Sequence, residues 1–191
     1  MLGVILCGGQ SSRMGEDKGL ILSNGRTWAQ SAFDTLSNSG LRVVVSVNNA
    51  QLRAYQDIFS KEELVVDDER IPVYGPLRGL LTVHEKYGDD LLVLATDMPQ
   101  VNGSIIRELQ HAVTSNKQAY VFKHENDIEP LCAIYTSQAL TTIRDLVARD
   151  QLKKHSLKYV LSLLDVHEIP IGKEQHKYFT NMNTPGDRNS R

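Results

Sequence analysis

The most constraining feature of the chain is a short apolar run, Val4-Ile5-Leu6, that stops at Cys7 and gives way to Gly8-Gly9-Gln10-Ser11-Ser12-Arg13-Met14-Gly15-Glu16-Asp17-Lys18. A buried strand running straight into paired glycines and two cations suits an α/β sheet with an anion site beyond its first strand. Glycine lets the backbone approach a ligand closely and turn successive N–H groups onto phosphate oxygens. Ser11 and Ser12 add hydroxyl donors, Arg13 can engage two oxygens at once, and Lys18 contributes a compact point charge. Neither standard phosphate fingerprint fits. The spacing G-x-x-x-x-G-K-[ST] fails because five residues separate Gly9 from Gly15 and Lys18 is followed by Gly19. The dinucleotide pattern G-x-G-x-x-G fails at Gly8-Gly9-Gln10. A solvated surface turn is the competing account of this loop.

The remaining chain decides the fold class. Thr27 and Gln30 stand at capping-box spacing, and Trp28, Ala32, Phe33 and Leu36 fall on one helical face that stops at Asn38-Ser39-Gly40. Residues 41–47 form a β-branched run expected of a parallel strand buried on both faces. A short helix over Leu52, Tyr55, Ile58 and Phe59 follows, then a strand Leu64-Val65-Val66. Gly75-Pro76-Leu77-Arg78-Gly79 opens another helix with proline in its first turn. Residues 90–95 read as a central strand, and Asn102-Gly103-Ser104 caps the next helix. Further on, 119–122 and 130–135 read as strands around a polar connection, 123–129, and a hairpin there would bring antiparallel pairing. Helices over 136–149 and 156–164 and a last strand over 166–171 complete the pattern. Strands alternating with helices through short connections predict an α/β protein: a three-layer α/β/α, Rossmann-like, mostly parallel sheet with some antiparallel pairing in the second half. With 191 residues and no composition break, residues 1–191 are expected to form one domain.

Bulk chemistry excludes some partners. Lysine and arginine total 21 against 23 aspartate and glutamate, so no basic field points to nucleic acid and any anion site is local. No apolar run reaches the roughly 20 residues of a membrane span, and no signal segment opens the sequence. The two cysteines, Cys7 and Cys132, stand far apart, as in a reduced cytoplasm. No nucleophile–histidine pair and no histidine metal motif stands out. Cys7 reads more readily as a small packing residue at a strand end than as an exposed thiol.

Acidic residues do fall at strand ends. Asp97 follows 91–95 directly, and Asp67-Asp68 follow Leu64 to Val66. In open α/β sheets ligands bind beyond the carboxyl ends of strands, where a carboxylate suits Mg²⁺ shared with phosphates and water. Asp97 is therefore the expected metal ligand, with a turn cap before Pro99 as the alternative. Asp68 is open between a ligand contact and a charged surface loop, 67–70. A cationic glycine loop and a strand-end aspartate together suggest nucleoside triphosphate chemistry, where positioning and charge neutralisation do most of the work.

These residues together resemble the molybdenum cofactor guanylyltransferases, within the nucleotidyltransferases that share a Rossmann-like sheet. The resemblance is carried by residues 6–18, similar to L-x-G-G-x-S-x-R-M-G-x-D-K. Gly75-Pro76-Leu77-Arg78-Gly79, Asp97-Met98-Pro99, Glu129-Pro130-Leu131 and Asn181-Met182-Asn183-Thr184-Pro185 continue it, in the same order, across nearly the whole chain. It implies Mg²⁺-dependent transfer of GMP from GTP to the terminal phosphate of molybdopterin or molybdenum-molybdopterin, with release of pyrophosphate. It further implies that Leu6, Cys7, Gly8, Gly9, Lys18, Ser46, Asp68 and Asp97 contact the nucleotide. Lys18, Arg13 and Asp97 would be catalytic, Asp97 would hold the metal, and Asn181 and Asn183 would lie toward the acceptor. The nucleotide half would be about 1–100 and the acceptor half about 101–191, with other cofactor-biosynthesis proteins and recipient molybdoenzymes as partners. Cys7 stands where alanine is common, and Ser46 where some relatives carry asparagine, with Asn48 two positions on. A cytidylyltransferase or sugar-phosphate nucleotidyltransferase on the same scaffold, or a non-catalytic cofactor-binding adaptor, are the rival readings.

Overall fold

The computed structural model describes residues 1–7, 17–114, 116–125 and 127–179. The chain opens on β1 (Leu2–Leu6), every residue of which is buried. A 3₁₀ turn, Lys18–Leu20, leads into a small hairpin of β2 (Leu22–Ser23) and β3 (Arg26–Thr27). Asn24 and Gly25 both have positive φ, 54° and 76°, the combination a two-residue turn of the primed type requires. Helix α1 (Trp28–Ser37) begins in a complete capping box, with the Thr27 hydroxyl accepting from the Gln30 amide and the Gln30 side chain accepting from that of Thr27. Next come β4 (Arg42–Val47), the short α2 (Leu52–Gln56) and β5 (Leu64–Val66). Helix α3 (Pro76–Tyr87) starts after Gly75, whose φ of 66° lets the chain turn in, and ends at a left-handed Gly88. Strand β6 (Leu91–Ala95) is buried throughout, and Asn102 caps α4 (Gly103–His111) through its side-chain oxygen.

The second half holds the hairpin β7 (Ala119–His124) and β8 (Asp127–Tyr135), then α5 (Ser137–Ala148), α6 (Leu157–Leu161) and β9 (Val166–Pro170). A 3₁₀ stretch, Lys173–Phe179, ends the described chain. Most of the polar segment expected as a connection is strand instead. Its charges are met from outside the hairpin: Lys123 pairs with Glu168 of β9 at 2.5 Å, and Lys158 of α6 pairs with Asp127. Cross-strand and neighbouring partners let polar residues extend a ladder that hydropathy alone would end.

The seven main strands lie in the order β5-β4-β1-β6-β8-β7-β9. The pairs β1–β4, β1–β6, β4–β5 and β7–β9 are parallel, while β8 runs antiparallel to both β6 and β7. Side chains alternate across the sheet into two cores. Ile5, Val45 and Leu94 pack with Ala29, Leu36, Tyr55 and Ile105 on one face. Val4, Val44 and Val93 pack with Leu77, Leu80, Leu140 and Val160 on the other. The expected three-layer α/β/α architecture, mostly parallel with antiparallel pairing in the second half, is the one observed. Among the described residues no helix is long and apolar enough to cross a membrane.

Candidate active site

Strand order reverses at β1. The chain leaves it through α1 for β4 on one side, and returns through α3 to β6 on the other. That divergence opens a crevice beyond the carboxyl ends of β1 and β6. Leu6 and Cys7 form one lip, both buried, and the Cys7 amide donates to the Ser46 carbonyl at 3.1 Å. Burial pushes the Cys7 thiol far above its usual range, so it is a protonated packing group rather than a nucleophile. Gly8, Gly9 and Arg13 lie outside the described residues, as do Asn181 and Asn183.

Lys18 and Asp97 lie close enough for their charges to interact. Burial raises the Asp97 carboxyl above the ordinary carboxylate range, and the Lys18 charge opposes that rise without cancelling it. Asp97 Oδ1 is buried and accepts no hydrogen bond among the described residues. Glu129, at the start of β8, is likewise raised by burial, and the nearby Asp97 charge adds to the effect. Its Oε1 accepts from the Leu131 amide at 3.0 Å.

On the β4–β5 side, the Ser46 hydroxyl donates to Asp67 Oδ1 at 2.7 Å. Burial raises Asp67, while this bond and the charge of Arg78 hold the rise back. Asp68 faces elsewhere: Arg70 Nε lies 3.0 Å from its Oδ1, an Arg70 terminal nitrogen lies 2.7 Å from its Oδ2, and its pKa falls to about 2. The pleat explains the difference. Asp67 continues the alternation from Val65 onto the α3 face, where Ser46 also points, whereas Asp68 turns to the rim. Arg78, in the first turn of α3, sits 5.6 Å from the Tyr74 ring centroid, and its buried Nε has no hydrogen-bond partner among the described residues. Ser46→Ala is expected to leave Asp67 without its hydroxyl donor and to cost about 1–3 kcal/mol. The loss should be largest at neutral pH and shrink as acid protonates Asp67, which urea denaturation at several pH values would measure.

Beyond Glu129, a cavity of about 240 Å³ is lined by His124, Asp127, Ile128, Glu129, Ile171, His176 and Phe179. The His124 and His176 rings meet edge to face at 3.8 Å, and Phe179 packs on Phe122 at 4.8 Å. The structure thus gathers Leu6, Cys7, Lys18, Ser46 and Asp97 at one end of the sheet, with Asp68 at its margin. Asp67 and Glu129 are the carboxylates that sequence reasoning left without a role. Period-two alternation through β5 would have pointed to Asp67, whereas Glu129 stood in an expected loop where no periodicity applies.

Hard divalent cations take carboxylate oxygens and complete their shell with phosphates and water. Asp97 Oδ1, buried and unsatisfied among the described residues beside a second acidic group, fits that requirement. No group of three or more His, Cys, Asp or Glu is gathered for a metal among the described residues.

Residues 3–165 match the family model described as the MobA-like NTP transferase domain. A probable molybdenum cofactor guanylyltransferase of Opitutus terrae is 30% identical over 195 residues, covering 98% of this chain and 93% of that protein. One of Geobacillus sp. is 30% identical over 193 residues, covering 98% and 95%. Among solved structures, molybdopterin-guanine dinucleotide biosynthesis protein A of Archaeoglobus fulgidus aligns with a TM-score of 0.76 at 21% identity, over 98% of this chain and 94% of that one.

Proposed function

The chain belongs to the MobA-like NTP transferase family and is a nucleotidyltransferase, and from that premise we propose that it transfers GMP from GTP to the terminal phosphate of molybdopterin, with or without molybdenum. The products are the guanine dinucleotide cofactor and pyrophosphate. The observation that carries this reading is Asp97, buried with an oxygen unsatisfied among the described residues and within reach of the Lys18 charge, at the strand ends where the sheet order reverses. The choice of guanylyl transfer and of the molybdenum cofactor as its acceptor is supported by the names of the two 30%-identical relatives.

An acceptor phosphate oxygen attacks the α-phosphorus of GTP, and the bond from that phosphorus to the bridging oxygen of the β-phosphate breaks. The nucleophile is already ionised at neutral pH, so the site needs no general base. Leu6 and Cys7 set the floor under the nucleotide, and the family motif assigns Gly8, Gly9 and Arg13 to its phosphates. Lys18 offsets charge on the triphosphate as it shifts to pyrophosphate. Asp97, with Glu129 nearby, would hold Mg²⁺, which when bound would neutralise phosphate charge. Ser46 and Asp67 support the nucleoside side, with Asp68 and its Arg70 pair at the guanosine rim.

Residues of about 1–100 serve the nucleotide and about 101–191 the acceptor, with Asn181 and Asn183 assigned to the acceptor by the family motif alone. Free, buried Cys7 and Cys132 suit work in the cytoplasm, next to proteins that deliver or receive the cofactor.

Pyrophosphate release is expected only with GTP, Mg²⁺ and molybdopterin together. GTP with Mg²⁺ is also expected to raise the melting temperature more than CTP or ATP does. Equal shifts for all three nucleotides would overturn the guanine assignment, and no release from folded protein under any condition would overturn the transfer.

A further inference from the structure

Cys7 ends the first strand and Asp17 directly precedes Lys18, so both must be held for Lys18 to sit where Asp97 senses its charge. One side chain reaches both ends. Gln51, just before α2, donates from its Nε2 to the Cys7 carbonyl at 2.8 Å and to Asp17 Oδ2 at 2.7 Å. Its amide orientation is fixed from the other side, because Gln51 Oε1 accepts from the Asn48 amide at 3.0 Å. Asn48 Oδ1 in turn accepts from the Gln51 amide at 3.0 Å. Both donors and the acceptor of the Gln51 side chain are thereby used, and a flipped amide would lose all three bonds.

Asp17 is held at its other oxygen as well. Asp17 Oδ1 accepts from the Gly19 amide at 3.0 Å and from the Tyr55 hydroxyl at 3.0 Å. Tyr55, on α2, is fully buried in the core that also holds Ala29 and Leu36 of α1. The 3₁₀ turn is seated on that hydroxyl so closely that a Cβ at Gly19 would overlap it. A carboxylate receiving three donors is a strong and directional anchor. Lys18 lies between its two attachment points, Asp17 and Gly19.

We propose that Gln51, Asp17 and Tyr55 are positioning residues for nucleotide transfer: a hydrogen-bonded clamp that joins Cys7 to Asp17 and presents Lys18 toward Asp97 and the triphosphate. This rests on the proposed transfer reaction for its kinetic consequence, though not for its geometry. Gln51→Glu is the sharpest probe. It is nearly isosteric, yet it sets a carboxylate against the Cys7 carbonyl and the Asp17 carboxylate, replacing two donors by repulsion. Tyr55→Phe removes a single hydroxyl and keeps the ring in the core.

Three measurements on the full chain test the clamp. Hydrogen exchange of the Gly19 amide, with no nucleotide present, should accelerate about tenfold or more in Gln51→Glu and less in Tyr55→Phe. Equilibrium binding of GTP with Mg²⁺ should weaken about tenfold in Gln51→Glu. In turnover, kcat should fall together with kcat/KM in both variants, because Lys18 acts on charge that develops in the transition state. Gln51→Asn, too short to span both ends, should behave like Gln51→Glu, although it keeps the amide. Unchanged Gly19 exchange in both Gln51→Glu and Tyr55→Phe would overturn the clamp. So would accelerated exchange with wild-type binding and turnover, which would leave the network a purely structural one. If wild-type protein binds no nucleoside triphosphate, the functional reading fails, and the exchange experiment still decides the geometry.

Discussion

Replacing Asp97 with asparagine is expected to lower pyrophosphate release on the order of 10²–10³-fold while leaving the fold in place. That loss is typical of removing one charge-stabilising group from a transition state. The expected survival of the fold has its own reason. Asp97 follows a fully buried strand, its Oδ1 is buried without a partner among the described residues, and its carboxyl is raised above the ordinary range chiefly by burial. A carboxyl raised in the folded state is ionised more easily when unfolded, so ionisation favours unfolding between the two pKa values and above them. Metal-free Asp97→Asn should therefore be at least as stable as metal-free wild type at neutral pH. The difference should vanish as the pH falls below the unfolded carboxylate pKa, where both states of wild type are protonated. Added Mg²⁺ with GTP should then reverse the order, stabilising wild type more than the variant. Calorimetry at several pH values, with and without ligand, separates these effects. Turnover by Asp97→Asn within a fewfold of wild type would remove Asp97 from the mechanism.

Most of the scaffold was legible because buried parallel strands announce themselves. Residues 41–47 and 90–95 are runs that few structures other than a two-sided central strand can bury, and they became β4 and β6. Helix starts were equally readable where a side chain caps its own backbone, as at Thr27 and Asn102. What escaped depends on partners remote in sequence. The strand character of Lys123 and Asp127 relies on Glu168 and Lys158. The two-residue strands around Asn24-Gly25 are too short for any periodicity to register.

The site divides in the same way. The resemblance marked Lys18 and Asp97, and the structure brings their charges within reach of one another. It also favoured Asp68, whose carboxylate is occupied by Arg70, whereas Asp67 is the one that Ser46 bonds. A pair of adjacent aspartates carries no sequence signal for which one faces inward until the strand before it is given a face. Gln51 and Tyr55 act on Asp17 from more than thirty residues away, and nothing local to the glycine loop announces them.

Gly79→Ala provides the other large effect, because here a helix glycine is held by the sheet rather than by its own backbone. In an exposed helix the change would gain about 1 kcal/mol. At Gly79 the added Cβ would overlap Ser46 Oγ and would come within 3.2 Å of Leu6 Cδ2 and 3.3 Å of Asp67 Oδ1. Ser46 Oγ cannot swing aside cheaply, since it is bonded to Asp67 in a buried position. Overpacking of this kind typically costs about 1–3 kcal/mol and exceeds the propensity gain. For a chain of this size each kcal/mol is worth about 2–4 °C, so the melting temperature should fall by several degrees. Binding of GTP should weaken with it, because α3 would be pushed off the strand ends that carry Leu6, Ser46 and Asp67. The partner change identifies the cause. In a Ser46→Ala background the overlapping oxygen is gone, and the nearest contacts on a Gly79→Ala methyl are those at 3.2 and 3.3 Å, which a slight shift relieves. The double variant should accordingly lose less stability than the sum of the two single changes, by about 1 kcal/mol or more. Strict additivity would show that α3 docks on these strands without the close approach at Gly79, and that Ser46 and Asp67 are not held beneath it.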